Sequence, residues 1–255
     1  MNRFSIALVL LLLLLPAALL ESDGAASSPL AAVAEPNWVA FSYQGGTEWL
    51  GPVSIDQAVV TAFYGENGLQ ATLADADALV TLEDGVAQVY RGSEPLWTSD
   101  PSWDVRRSLV ADLDNDGLLE LSLVLWKPFF REPDIFYDTF GFPSPWEEGS
   151  RRNQLFLYGW RDTKWKPLWC SSPLADPISE LAVGDVDGDG TNELVVLEGS
   201  YADTLDQDPG HVAVWRWNGW GFALQWRCPG GTYEHLTLQD VTGDGIVEIL
   251  VQERS

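Results

Sequence analysis

The stretch Asp185-Val186-Asp187-Gly188-Asp189-Gly190-Thr191-Asn192-Glu193 runs directly into an apolar segment, Leu194–Leu197. Its acids stand at the first, third, fifth and ninth positions, with glycine at the sixth. Carboxylates on alternate residues of a tight loop converge on one hard cation, and calcium takes about six to eight oxygen ligands. Glycine at the sixth position permits the sharp turn that brings the next carbonyl, that of Thr191, inward. A helical calcium loop of the EF-hand type closes with Glu at about position 12. Here the closing acid comes three residues earlier, and strand-like runs flank the loop.

The pattern occurs twice more. Asp112-Leu113-Asp114-Asn115-Asp116-Gly117-Leu118-Leu119-Glu120 precedes Leu121–Trp126, and Asp240-Val241-Thr242-Gly243-Asp244-Gly245-Ile246-Val247-Glu248 precedes Ile249–Val251. The candidate metal ligands are Asp112, Asp114, Asp116, Leu118 and Glu120 in the first loop. In the second they are Asp185, Asp187, Asp189, Thr191 and Glu193. In the third they are Asp240, Thr242, Asp244, Ile246 and Glu248. Leu118, Thr191 and Ile246 contribute through the backbone carbonyl. A solvated acidic turn accounts for one such segment, but three copies with the same closing acid point to Ca2+. The third site is the weaker ligand set, because Thr242 stands where the other loops carry an acid.

Charge supports this reading. The 255 residues include 14 Lys+Arg and 38 Asp+Glu, a net charge of −24. Such a chain repels polyanions, so no nucleic-acid partner is expected. The three loops hold 11 of the carboxylates, which gives much of the acidity a local reason. With 46% hydrophobic and 20% charged residues the composition is that of a globular chain. Two His and two Cys leave little material for a zinc site.

The loops sit in a longer repeat. Val86–Trp126, Gln154–Leu197 and Val212–Val251 each open with an aromatic-rich strand: Ala87–Tyr90, Leu155–Tyr158 and Val212–Trp215. A second strand ends near a tryptophan (Trp97, Trp169, Trp226). After a polar linker come a third strand (Leu109–Ala111, Leu181–Val183, Leu236–Leu238), the acidic loop and a fourth strand. Short, alternating, turn-bounded segments of this kind are β-structure. A fainter copy at Leu69–Leu82 lacks the carboxylate set, since Asp75 and Asp77 fall out of register, and no strong site is expected there.

These loops with their flanking strands resemble the FG-GAP, or integrin-α-type, repeat, which is also found in bacterial VCBS-type proteins. The resemblance covers most of residues 70–255. It implies an all-β fold, a small β-propeller whose calcium loop joins the first and second strands of each four-stranded blade. Ser108–Ala111, Leu119–Trp126, Gln154–Trp160 and Lys166–Cys170 are then strands 1 to 4 of one blade. The chain ends after a second strand, while Asn37–Gln44 and Thr47–Val53 read as strands 3 and 4. Pairing the two ends closes a ring of four blades; an open arc completed by another subunit is the competing arrangement. Calcium is structural in this reading.

Residues 1–26 read as a signal peptide: Arg3, the apolar run Phe4–Leu15, Pro16, then small residues through Gly24-Ala25-Ala26. An uncleaved anchor is the alternative, and the membrane is then met only through this segment. Cleavage removes Arg3, Glu21 and Asp23 and leaves −23, which three Ca2+ would reduce to about −17. Residues 27–36 form a linker and 37–255 the propeller domain, in an extracytoplasmic setting (secreted, periplasmic or cell-surface).

Function classes follow from what remains. Lys127–Asn153 is an insertion with Phe129, Phe130, Phe136, Tyr137, Phe140, Phe142, Trp146 and four prolines. By the resemblance it lies opposite the calcium loops, where it binds a protein or glycan partner or else caps the propeller channel. Residues 198–210 are a second candidate on that face. Cys170 and Cys228 end fourth strands; export permits a disulfide, but the family places these strands where blades splay apart. His211 precedes a strand and His235 sits in a linker, both structural rather than catalytic, and no serine lies in a nucleophile elbow. The expected function is a calcium-binding propeller acting as a protein- or glycan-binding module. The alternatives are a secreted calcium-dependent hydrolase of phosphoesters or polysaccharide and a structural domain of an envelope protein. Arg106-Arg107 and Arg151-Arg152 are the only adjacent basic pairs available to clamp a phosphate.

Overall fold

The computed structural model describes residues 38–43, 47–53, 69–73, 76–129, 149–201, 210–228 and 233–253, with backbone only at 47–53, 69–73, 76 and 77. The chain divides into Met1–Glu35, outside the described residues, and Pro36–Ser255. Within the latter, every regular element described is a strand. No helix among the described residues is long and apolar enough to cross a membrane.

Four antiparallel four-stranded sheets form. The first is a meander of β3 (Leu69–Leu73), β4 (Ala76–Glu83), β5 (Val86–Arg91) and β6 (Glu94–Thr98). The second contains β7 (Asp104–Ala111), β8 (Glu120–Pro128), β9 (Arg151–Arg161) and β10 (Lys164–Cys170). The third contains β11 (Ile178–Gly184), β12 (Glu193–Glu198), β13 (His211–Trp217) and β14 (Phe222–Arg227). The fourth joins the two ends of the unit: β15 (Tyr233–Gln239) and β16 (Glu248–Glu253) continue into β1 (Trp38–Tyr43) and β2 (Thr47–Val53). Phe41 lies opposite Ile249 and Trp38 opposite Gln252 in that junction.

The second strands β8, β12 and β16 are buried on both faces, which is why they read as continuous apolar runs rather than alternating ones. Leu121, Leu123 and Leu125 of β8 pack with Ala87, Val89, Val105 and Phe156, against the first sheet. Val124, between them, faces Ile178, Leu194 and Val196, against the third. In β12 the alternation repeats: Leu194 and Val196 join that core, while Val195 and Leu197 pack with Val39, Phe41, Ile249 and Val251 of the fourth sheet. Sheets therefore stack in series through interdigitated cores. At about 25 cal/mol per Å2 of apolar surface removed from water, these cores are the main stabilising term.

Several expectations shift. The strands around the aromatic insertion are longer than read: Lys127 and Pro128 belong to β8, and Arg151–Asn153 belong to β9. Long strands paired edge to edge, Trp126 opposite Asn153 and Pro128 opposite Arg151, satisfy backbone groups that a loop would leave open. Residues 130–148 of the insertion and 202–209 of the second candidate segment lie outside the described residues. His235 is not in a linker. It sits inside β15, at a bulge between Glu234 and Leu236 and with φ of 57°, the irregularity having hidden the strand. No disulfide joins Cys170 and Cys228: the first is exposed and the second is buried beside the Tyr233 hydroxyl.

Candidate metal centre

Each acidic loop joins the first and second strands of its sheet: β7 to β8, β11 to β12, and β15 to β16. The local chain is bent by a shared set of hydrogen bonds. The first-position Asp accepts the sixth-position N–H: Gly117 to Asp112 at 3.0 Å, Gly190 to Asp185 at 2.9 Å, Gly245 to Asp240 at 2.9 Å. The fifth-position Asp accepts the seventh-position N–H: Leu118 to Asp116, Thr191 to Asp189, Ile246 to Asp244. The closing Glu reaches back to the second-position N–H: Leu113 to Glu120 at 2.9 Å, Val186 to Glu193 at 3.2 Å, Val241 to Glu248 at 2.8 Å.

Two positions per loop are left-handed. The sixth-position glycines have φ of 86°, 87° and 91°, and the fourth-position residues Asn115, Gly188 and Gly243 have 60°, 73° and 80°. A Cβ at Gly117, Gly190 or Gly245 would meet nothing, so glycine is there for its dihedral angle and not for space. Asn is the usual non-glycine tenant of that region. The sequence pattern leaves the fourth position open, whereas the folded loop restricts it to Asn or Gly.

The convergence is clearest in the first two loops. One carboxylate oxygen each from Asp112, Asp114 and Glu120 lies within 4.8 Å of the others, and the same holds for Asp185, Asp187 and Glu193. These two groups could hold a metal ion. Asp116 and Asp189 are not part of them. In the third loop the Thr242 hydroxyl lies 3.5 Å from Asp240 Oδ1 and 3.4 Å from Glu248 Oε1, so the threonine takes the central place of the missing acid.

The closing acids are deeply buried, with Glu120 and Glu193 at 0% and Glu248 at 1% exposure. Burial pushes the Glu120 carboxyl up to about 7 despite the opposing Arg161 guanidinium and Leu113 N–H. Burial likewise raises Glu193, and raises Asp114 with help from Asp116. Asp189 and Asp240 are held low instead, the first by the Thr191 hydroxyl and N–H, the second by the N–H groups of Gly245 and Gly243.

Two arginines that the motif does not reveal complete the first two sites. Arg161, at the end of β9, donates to Glu120 Oε1 at 2.5 Å and to Asp116 Oδ2 at 3.1 Å. Arg216, on β13, donates to Glu193 Oε1 at 2.7 Å and Asp187 Oδ2 at 2.5 Å, and pairs with Asp189 at 3.0 Å. Burial alone would lower the pKa of both guanidiniums, but the hydrogen bonds to Glu120 and Glu193 together with the charges of the loop carboxylates raise both above their ordinary value. Each guanidinium is a cation standing against the carboxylates that would ligate a metal, which shows that the sets accept positive charge.

No family model matches this chain, and no curated protein matches it. Function is read from the loops themselves.

The loops also share one end of the sheets. Asn115 accepts from Asn192 N at 2.7 Å and donates to Asn192 O at 3.2 Å, while Asn192 Nδ2 donates to Asp112 O at 2.8 Å. A Cβ on Gly188 would stand 2.7 Å from Ile246, so the second loop also touches the third. Strand direction puts the last residues of β8 and β12 and the first of β9 and β13 at the opposite end. There Tyr201 packs edge-on against Trp126 and under Arg152, and its hydroxyl accepts from Asn153 N.

Proposed function

We propose that this protein is an exported calcium-binding β-propeller of FG-GAP type, in which calcium is structural and the opposite end binds a protein or glycan. The observation that carries the reading is the threefold recurrence of one loop conformation that buries a closing glutamate, with two carboxylates converging on it in the first two loops and the Thr242 hydroxyl beside it in the third. Hard carboxylate, hydroxyl and carbonyl oxygens suit Ca2+ better than a softer transition metal. Asp112, Asp114 and Glu120 would hold the first ion, Asp185, Asp187 and Glu193 the second, and Asp240, Thr242 and Glu248 the third. Bound calcium neutralises clustered carboxylates and pins the first strand of a blade to the second.

Four sheets stacked in series, with the ends of the unit sharing one sheet, support the four-bladed ring. Tyr201 ties the roots of the insertion and of the 198–210 segment together, which supports their acting as one binding face. An exported setting supplies the calcium, since extracellular sites of this kind bind at about 10⁻⁴–10⁻³ M. The test is a calorimetric calcium titration with melting followed with and without chelator. Two or three sites and a large rise in melting temperature are expected; no binding at millimolar calcium sinks the reading.

A further inference from the structure

We propose that Arg161 and Arg216 are built-in competitors of the metal: each guanidinium holds the carboxylates of its loop when no ion is bound and is displaced when one enters. The inference rests on the calcium reading above and adds what sets the affinity of each loop.

In the second loop the arginine and an ion would draw on the same carboxylates. Arg216 Nη2 lies 2.5 Å from Asp187 Oδ2 and 2.7 Å from Glu193 Oε1, and both carboxylates belong to the convergent group. An ion bonded to those carboxylates at about 2.3–2.6 Å would face a fixed positive charge across a shared ligand, in a site whose closing acid is fully buried. The arginine has to leave at least those two acids. In the first loop Arg161 engages Glu120 and Asp116, leaving Asp112 and Asp114 to their backbone partners, so the displacement there is smaller.

Among the described residues the third loop has no such partner. Both arginines arrive on the third strand of their own sheet, β9 or β13. The equivalent strand of the fourth sheet is β1, and neither β1, β2, β15 nor β16 contains Lys or Arg; the chain has no basic residue between Arg3 and Arg91. The register that sets Phe41 opposite Ile249 brings Ser42 alongside Glu248. The first two loops carry four acids and one arginine, the third carries three acids and none. Net charge is therefore the same in all three. The third loop, poorest in ligands, binds calcium without first losing an internal cation, and the affinity gap expected from carboxylate number is narrowed.

The experiment is calcium titration by calorimetry on protein purified from cells expressing the full chain, comparing wild type, Arg216→Gln, the double variant Arg161→Gln/Arg216→Gln, and Arg216→Lys. Removing the guanidinium should tighten the sites of the first two loops on the order of tenfold and leave the third unchanged. Arg216→Lys, which keeps the charge, should stay near wild type. Affinities that hold or fall in the glutamine variants while wild type binds calcium overturn the competitor role and leave the calcium reading standing. Tightening by Arg216→Lys equal to that of Arg216→Gln overturns the competitor role in the same way. Absence of calcium binding in wild type and variants alike overturns both. Should the variants fail to fold, the side-chain Nε–H resonances of Arg161 and Arg216 in wild-type protein give the answer: they should move on calcium saturation, and unmoved signals reject the proposal.

Discussion

The second and third acidic loops share a backbone and differ in how they compensate one buried carboxylate. Glu193 accepts from Val186 N and from two nitrogens of Arg216. Among the described residues Glu248 accepts from Val241 N at 2.8 Å and otherwise has only the Thr242 hydroxyl at 3.4 Å. Among the described residues no ion pair reaches Asp240, Asp244 or Glu248. A buried carboxylate without a counter-charge is costly, whereas a paired one leaves its partner stranded when it is removed. One loop thus carries its own cation, and the other has none among the described residues.

The largest expected effect breaks the two loops at the same atom. In chelator, Glu193→Gln should destabilise by about 2–3 kcal/mol, because it strips Arg216 of its buried partner. Glu248→Gln in chelator should be within about 0.5 kcal/mol of wild type, since it removes a buried charge that has no cation. Urea unfolding at fixed pH measures both. Equal losses would erase the difference between the loops.

Next in size are the ligand variants. Asp187→Ala and Asp114→Ala should each forfeit calcium-linked stabilisation, about 2.7 kcal/mol at a hundredfold excess over the dissociation constant, with a smaller loss in chelator. Equal destabilisation in chelator would count against metal ligation. Thr242→Asp runs the other way, giving the third loop its fourth acid. It should raise the melting temperature in calcium and lower it in chelator.

Most of the strand order was legible because apolar runs and acidic loops recur in one order. Glu120, Glu193 and Glu248 were found by that recurrence, and the pairing of Trp38–Tyr43 with Glu248–Glu253 by asking which strands each end lacked. What escaped has a physical cause in each case. His235 breaks the alternation of its strand because it is the extra residue of a bulge. Arg161 and Arg216 lie 41 and 23 residues from the glutamates they meet, and only sheet register brings them there. Asn115 and Asn192 stand at loop positions that the motif treats as free, yet they join two loops 77 residues apart.

That join sharpens the comparison further. Asn115→Gly gives the first loop the residue that the second and third loops carry at its fourth position, preserving the left-handed angle while deleting the amide. The loss should be about 1 kcal/mol, the worth of the hydrogen bonds removed. It should also uncouple calcium binding at the first two loops, with the third unaffected. A calorimetric isotherm as cooperative as that of wild type would show that the stitch carries no communication.

The smallest effect lies where the strands leading into the second and third loops meet. Glu180 of β11 accepts from Leu236 N of β15 at 2.9 Å, sits 3.4 Å from His235 Nδ1, and lies 3.7 Å from Arg107 of β7. The hydrogen bond to Glu180 raises the His235 pKa above its ordinary value, against burial and the Arg107 charge and with help from Glu234. A histidine whose folded pKa is raised stabilises fully below its unfolded value, about 6.5, and the contribution fades as pH rises through the folded value. His235→Asn retains a residue that tolerates the positive φ and removes the charge. The stability difference between wild type and variant should be positive at pH 5.5, below about 1 kcal/mol because the imidazole is half exposed, and close to zero at pH 9. Measured in chelator, where metal does not compete, a difference independent of pH would mean that packing, not the ion pair with Glu180, holds these two strands together.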